Sequence, residues 1–207
     1  MDYFKVVKQF WQERKSQRIY EYLNTVNHPH RKLITDELKK FEPFKSLLEI
    51  GCGAGANLVN IHKEFPNVCL AGIDINHIAI LKAQEQLPDV ILIEASVENI
   101  PFADKVFDVV LSSALLIYID IGRIKQVIEE MIRVCRKGFI LIELEGMSRV
   151  GELEGDYWCR DYKRLLEDYK VEVYKQKIPK EIWDTPPWEK NGFIYVCHLP
   201  SPTLEKN

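Results

Sequence analysis

A short apolar run, Leu47-Leu48-Glu49-Ile50, ends in Gly51-Cys52-Gly53-Ala54-Gly55 and continues as Ala56-Asn57-Leu58. A second apolar run closes on Ala71-Gly72-Ile73-Asp74, which puts Asp74 23 residues after Gly51. Strand, glycine turn, helix start, then a strand ending in a carboxylate is the order in which a parallel sheet offers its carboxyl edge to a ligand. This pattern commits the chain to an α/β fold before anything else is read.

The rest of the chain alternates in the same way. Strands are expected at 47–50, 68–74, 90–94, 107–111, 139–143, 171–175 and 193–199. Helices are expected at 56–65, 76–86, 122–135 and about 156–168. The central strands are continuously apolar, as they must be when helices cover both faces. The order βαβα implies a doubly wound, parallel, Rossmann-like sheet. Ahead of it, residues 4–23 and 30–41 read as two amphipathic helices broken at Asn27-His28-Pro29, expected to pack over the open edge of the sheet. The organisation is therefore an N-terminal helical cap, 1–42, and a ligand-binding domain, 43–207, in one globular unit. The Pro- and Trp-rich connection 178–188 is expected to cap a face of the sheet.

The chain has 207 residues, 46% hydrophobic and 29% charged, with net charge −3. That is an ordinary globular composition with no global basic footprint for nucleic acid. Residues 1–40 are the exception, with nine Lys/Arg against five Asp/Glu. The five cysteines are scattered, with no CxxC pair and no zinc spacing, which fits reduced thiols in the cytoplasm. There is no signal-peptide core at the start, and the apolar run 109–119 is well short of the ~20 residues that cross a bilayer. No nucleic-acid or membrane partner is expected.

Gly51, Gly53 and Gly55 let the backbone turn sharply and approach a ligand without Cβ atoms in the way. The helix that follows offers free N–H groups and the positive end of its dipole. Gly51-x-Gly53-x-x-Ala56 also satisfies the dinucleotide pattern, so the glycines alone do not choose the ligand. Glu49 does. A carboxylate at the buried end of a strand is costly unless a cation lies near it. S-adenosylmethionine brings an ammonium and a sulfonium, whereas a dinucleotide brings a pyrophosphate that Glu49 would repel. The alternative is a protein Lys or Arg paired with Glu49. Asp74 is placed to accept from both hydroxyls of a ribose, and also to cap the helix that starts at Asn76.

Taken together, Glu49-Ile50-Gly51-Cys52-Gly53-Ala54-Gly55, Gly72-Ile73-Asp74, Glu98-Asn99-Ile100-Pro101-Phe102 and Phe107-Asp108-Val109-Val110 resemble a class I S-adenosylmethionine-dependent methyltransferase of the type 11-like small-molecule group. The resemblance covers residues 46–145. It implies a seven-stranded sheet, mostly parallel, with an antiparallel last strand. It implies that Glu49, the loop Gly51, Cys52, Gly53 and Gly55, and Asn57 hold the methionine part, that Asp74 holds the ribose, and that Ser96 and Val97 hold the adenine with apolar help from Ile75. Ser112 and Ser113, at the end of the fourth strand, complete the expected cofactor set. Two departures stand out. Ser96 replaces an acid usual in the family, and Arg136-Lys137-Gly138 replaces a Pro-Gly-Gly turn.

The acceptor side is less marked. Tyr118 matches a substrate-facing position of the family, and His28 and His30 could reach the site if the first helices fold over it. These three are the candidate general bases, needed only for a protonated nucleophile. Trp11, Tyr20 and Arg31 in the N-terminal region, and Tyr157, Trp158 and Arg160 after the fifth strand, are candidates for substrate binding. Arg160 would suit an anionic group. Thr185-Pro186-Pro187-Trp188 resembles the Pro-Pro-aromatic motif of base-amine methyltransferases but follows the sixth strand, so it reads as a rigid turn. No acidic triplet follows the fourth strand, so no metal is expected. The expectation is an in-line transfer of methyl to O or N of a small molecule, by a monomer or homodimer, yielding S-adenosylhomocysteine (SAH). The rivals are an RNA methyltransferase, a NAD(P) oxidoreductase and a non-catalytic cofactor-binding partner subunit.

Overall fold

A computed structural model of the protein describes residues 3–13, 23–146, 153–154, 157–158 and 160–200. Its strands are β1 (Ser46–Ile50), β2 (Cys69–Asp74), β3 (Ile91–Glu94), β4 (Phe107–Ser113), β5 (Cys135–Leu144), β6 (Leu153–Glu154), β7 (Tyr157–Trp158), β8 (Glu172–Lys177) and β9 (Gly192–His198). Seven of them form one sheet in the order β3-β2-β1-β4-β5-β9-β8, while β6 and β7 pair separately. β1 to β5 are parallel, and β9 runs antiparallel to both β5 and β8. The expected seven-stranded sheet with an antiparallel last strand is thus present. The winding reverses between β1 and β4, and ligands of such sheets sit outside the carboxyl ends at that point.

Side chains alternate across the strands. Leu47 of β1 joins one core with Ile34 and Leu38, whereas Leu48 and Ile50 join the other with Ile128 and Met131. The helices are α1 (Tyr3–Gln12), α2 (His30–Leu38), α3 (Ala56–Glu64), α4 (His77–Gln86), α5 (Ile124–Val134), α6 (Tyr162–Leu166) and α7 (Trp188–Asn191). α5 buries Ile124, Val127, Ile128, Met131 and Val134 along one stripe, each worth roughly 1.5–3 kcal/mol relative to exposure. α4 starts where the Asn76 side chain accepts from Ala79 N at 2.9 Å.

Four local expectations change. The first helix was expected to run to residue 23. α1 ends at Gln12, and residues 14–22 lie outside the described set. α2 covers a face of the sheet and not its edge, because Ile34 and Leu38 pack with Ile140, Ile142 and Val196. The helix expected from 156 shrinks to Tyr162–Leu166, where the Asp161 carboxylate accepts from Arg164 N, and Tyr157–Trp158 is extended instead. Arg136-Lys137-Gly138 is not a turn but the start of β5. A Cβ on Gly138 would lie 2.0 Å from the Cys197 carbonyl oxygen, so only glycine lets β9 come this close. The 178–188 connection does cap a face, with Ile178 and Trp188 buried in the same core as α2.

Candidate functional site

The glycine turn is built by three left-handed residues, Gly51, Gly53 and Gly55, at φ 66°, 53° and 81°. Cys52 N donates to Ile73 O at 3.0 Å, and Gly53 N donates to Asp74 Oδ2 at 2.8 Å, so the turn is stitched to the end of β2. The Cys52 thiol faces inward, 2.8 Å from where a Cβ on Gly72 would lie, so Cys52 offers the site only its backbone. Asp74 Oδ1 accepts from Asn76 N at 2.8 Å. The helix-capping role considered for Asp74 belongs to Asn76, and the backbone bonds hold the Asp74 carboxylate at the mouth of the turn. Burial pushes its pKa up, and the N–H groups of Asn76, Gly53 and Ile75 oppose the shift.

Glu49, one residue before the end of β1, is fully buried. Its Oε1 accepts from Asn57 Nδ2 at 2.5 Å, and Asn57 Oδ1 accepts in turn from Arg31 Nη1. Arg31 is anchored by Thr25, donating to its carbonyl at 2.8 Å and its hydroxyl at 2.5 Å. Arg31 therefore reaches Glu49 through an amide. Glu49 Oε2 is buried with no hydrogen-bond partner. Burial raises the Glu49 carboxyl to about 8, against the lowering effects of Asn57 and Arg31. An orphaned buried carboxylate oxygen beside a glycine turn fits a cationic ligand group, and the ammonium and sulfonium of S-adenosylmethionine meet that requirement. Glu49, Asn57, the loop backbone and Asp74 would hold it.

Of the residues expected to hold an adenine, Ile75 is half-buried and Val97 buried. The Ser96 hydroxyl donates to Glu98 Oε2 at 3.3 Å, so an acid does stand near this position, two residues later than usual. Ser112 is fully buried and its hydroxyl donates to Glu143 at 2.9 Å, which turns it away from a direct cofactor role, and Ser113 is buried beside it.

Three rings from the residues expected on the acceptor side meet. Trp11 lies edge-on to Tyr118 at 4.8 Å, and Tyr118 is 5.6 Å from Tyr157. Asn76 Nδ2 donates to Trp11 O at 2.7 Å, which fixes the end of α1 over the carboxyl edge of β2. Tyr118 sits on a single 3-10 turn, Leu116–Tyr118. Glu143, at the end of β5, accepts from Leu115 N and Leu116 N at 3.1 Å and from Ile117 N at 3.4 Å. Burial raises its carboxyl to about 7. Arg160 donates to Leu116 O at 2.6 Å and to Ile119 O. Arg160 is 4% exposed, so its guanidinium serves the turn and is not presented to an anion. Trp158 is half-buried on β7, and Tyr20 lies outside the described residues.

His28 and His30 face one another with their Nδ1 atoms 2.6 Å apart. The His30 ring stacks on Trp183 at 4.3 Å, and Trp183 stacks on Trp188 at 3.8 Å. Burial, Arg31 and His28 lower His30 to about 2, and burial and Arg31 lower His28. So weakly basic an imidazole makes a poor general base. Glu143 carries no motif in the sequence, although it stands one residue before the end of an apolar strand just as Glu49 does.

Residues 47–138 match the family model described as "Methyltransferase domain". The chain is 29% identical over 128 residues to the phthiotriol/phenolphthiotriol dimycocerosates methyltransferase of Mycobacterium tuberculosis, covering 59% of this chain and 46% of that protein. It is 25% identical over 138 residues to the fatty-acid O-methyltransferase of Mycolicibacterium smegmatis, covering 64% of this chain and 46% of that protein. The chain thus spans about half the length of the curated relatives it matches. Magnesium protoporphyrin IX methyltransferase from Synechocystis PCC 6803, solved with bound SAH, superposes with a TM-score of 0.71 at 12% identity, over 96% of this chain and 100% of that one. Residues 47–138 are thus similar in sequence to a methyltransferase domain, and the chain shares its overall fold with solved methyltransferases.

Proposed function

We propose that the protein transfers a methyl group from S-adenosylmethionine to oxygen or nitrogen of a small, largely apolar molecule. The observation that carries this is Glu49, a buried carboxylate with one oxygen unpartnered, set beside a left-handed glycine turn and the ribose-ready Asp74. The cofactor supplies an electrophilic methyl on a positively charged sulfur that departs as a neutral thioether. The chain's part is to hold, align and dry the site. Glu49 matches the positive charge, Asp74 the ribose, and Trp11, Tyr118 and Tyr157 wall the acceptor side with apolar surface. The apolar assignment rests on those rings and on the fate of the two arginines. Arg31 and Arg160, the candidates for an anionic substrate, are both buried and bonded internally. The relatives named for lipid and fatty-acid substrates agree with it. Tyr118 is the side chain best placed to touch the acceptor. The four described cysteines are free thiols, in keeping with the cytoplasm.

Parallel calorimetric titrations with S-adenosylmethionine, SAH and NAD test the cofactor, with Asp74→Ala as control. Micromolar binding of the first two, lost in the variant, is expected. Binding of NAD alone would overturn the reading.

A further inference from the structure

The large apolar side chains that stay exposed among the described residues are unevenly placed. Val6 and Phe10 on α1 are 47% and 52% exposed, Ile78 and Leu81 on α4 are 37% and 50%, and Ile121 before α5 is 56%. Asn76 ties the end of α1 to the start of α4, and Ile121 follows the turn at the end of β4. These five therefore gather on elements at the carboxyl edge of the sheet, where Glu49, Asp74 and Tyr118 converge. Ile91 and Val106, also exposed, lie at the opposite edge, and Tyr174, 55% exposed, lies on β8 at the far side of the sheet.

α1 is apolar on two sides. Trp11 turns inward onto the Tyr118 ring, while Val6 and Phe10, four residues apart, share the outward side. The helix Tyr3–Gln12 contains Lys5 and Lys8 and no acid. Over residues 1–20 there are five Lys/Arg and two Asp/Glu, a local +3 in a chain whose net charge is −3. A helix that exposes an aliphatic and an aromatic residue on one side, within a stretch of sequence that is locally cationic in an anionic protein, has the chemistry of a helix that lies in a lipid interface. Anionic headgroups attract the basic segment, and the apolar side chains enter the boundary with the acyl chains.

We propose that the outer side of α1, with Ile78, Leu81 and Ile121, docks the protein on an anionic lipid surface, so that the mouth of the site faces the bilayer. No described helix is long and apolar enough to cross a membrane, so the contact is peripheral. This departs from the expectation of no membrane partner. On the methyl-transfer reading, on which the link to substrate rests, the acceptor reaches the site out of the lipid.

The test is sedimentation of the full chain with vesicles of phosphatidylcholine alone and of phosphatidylcholine with about one third phosphatidylglycerol. Binding to the anionic vesicles is expected, weakened by salt. It should be about tenfold weaker for the Val6→Asp/Phe10→Asp double variant. Calorimetry with SAH on the same variant should give an unchanged affinity, which shows that the site is intact. Wild-type protein that stays in the supernatant, or a variant that sediments like wild type, would overturn the proposal. So would light scattering that finds a dimer which the variant dissociates, without vesicle binding, since a second copy would then cover the ridge. Vesicle binding without SAH binding would leave the docking surface standing and remove the methyl-transfer reading instead.

Discussion

Glu143 and Arg160 grip the same turn by opposite polarity. The carboxylate accepts from the N–H groups of Leu115, Leu116 and Ile117, and the guanidinium donates to the carbonyls of Leu116 and Ile119. A short 3-10 turn is thus closed at its amino end by an acid and at its carboxyl end by a base, as its dipole requires. Two residues before it, Ala114 sits at φ 55°, a conformation side chains rarely adopt, so this turn is over-determined by its surroundings. Glu143→Ala would strand two buried N–H groups, the half-buried N–H of Leu115 and the Ser112 hydroxyl, at a cost of about 3 kcal/mol. Arg160→Met should cost about 2 kcal/mol by the same reasoning. Because both act on one turn, the double variant should lose less than the sum. Urea denaturation of the four proteins checks this.

Glu49 should make cofactor binding release a proton. Its carboxyl is raised to about 8 by burial, so it is largely protonated at neutral pH before a ligand binds. A cationic ligand group favours the ionised form and lowers that value. Titration with SAH at pH 7 in buffers of different ionisation enthalpy should show proton release that Glu49→Gln abolishes, with affinity reduced by about tenfold to a hundredfold. The stability of the ligand-free protein carries the same signature. A carboxyl whose folded value exceeds its unfolded one loses stability as pH rises from about 4.5 toward about 8. Glu49→Gln should flatten that decline, and an unchanged slope would count against the assignment.

Gly72 is the position where the sheet tolerates least. A Cβ there would meet Cys52 Sγ and Leu58 Cδ1 at 2.8 Å and Leu92 Cδ2 at 2.9 Å. Cys52 belongs to the glycine turn and Leu58 to α3, so strand, turn and helix press on one point. Gly72→Ala should destabilise by roughly 1–3 kcal/mol through overpacking. It should also weaken SAH binding, because the turn can yield only by moving off Asp74. Thermal melts with and without SAH separate the two effects.

The sheet was legible because its signals are local. Apolar runs of strand length, a glycine turn and an acid at each of two strand ends leave little choice of topology. Glu49, Asn57 and Asp74 come together around the glycine turn for the same reason. The acceptor side was less legible because its contacts are long-range. Nothing in Arg160 or its neighbours says that its guanidinium will be spent on carbonyls 41 and 44 residues earlier. Arg31 looked available for a substrate and is instead the far end of a relay through Asn57 to Glu49. The helix expected from residue 156 failed because Asp161 caps a later start, and Tyr157–Trp158 pair with Leu153–Glu154 as a ladder. Glu143 obeys the rule that singled out Glu49, but its partners are backbone N–H groups, which no side-chain motif records.

His30 should set the response to acid. Its ring is stacked on Trp183, shares a short Nδ1 contact with His28, and lies beside Arg31, so the fold holds it neutral down to about 2 against 6.5 for a free imidazole. The unfolded chain therefore binds a proton that the folded one refuses. The stability this represents is fully present above about pH 6.5 and is lost progressively below it. His28, also lowered, adds to the same slope, while Asp184 partly offsets its shift. Between about pH 6.5 and 5, before most carboxylates titrate, the wild type should lose stability on acidification. His30→Phe should keep the ring stack but lose part of that pH dependence, at some cost in stability from the missing Nδ1 contact. Denaturation followed by tryptophan emission reads the change where it occurs, since Trp183 and Trp188 are stacked face to face beside the histidine pair. A variant whose pH slope matches the wild type would show that His30 titrates freely, and the buried stack would have to be abandoned.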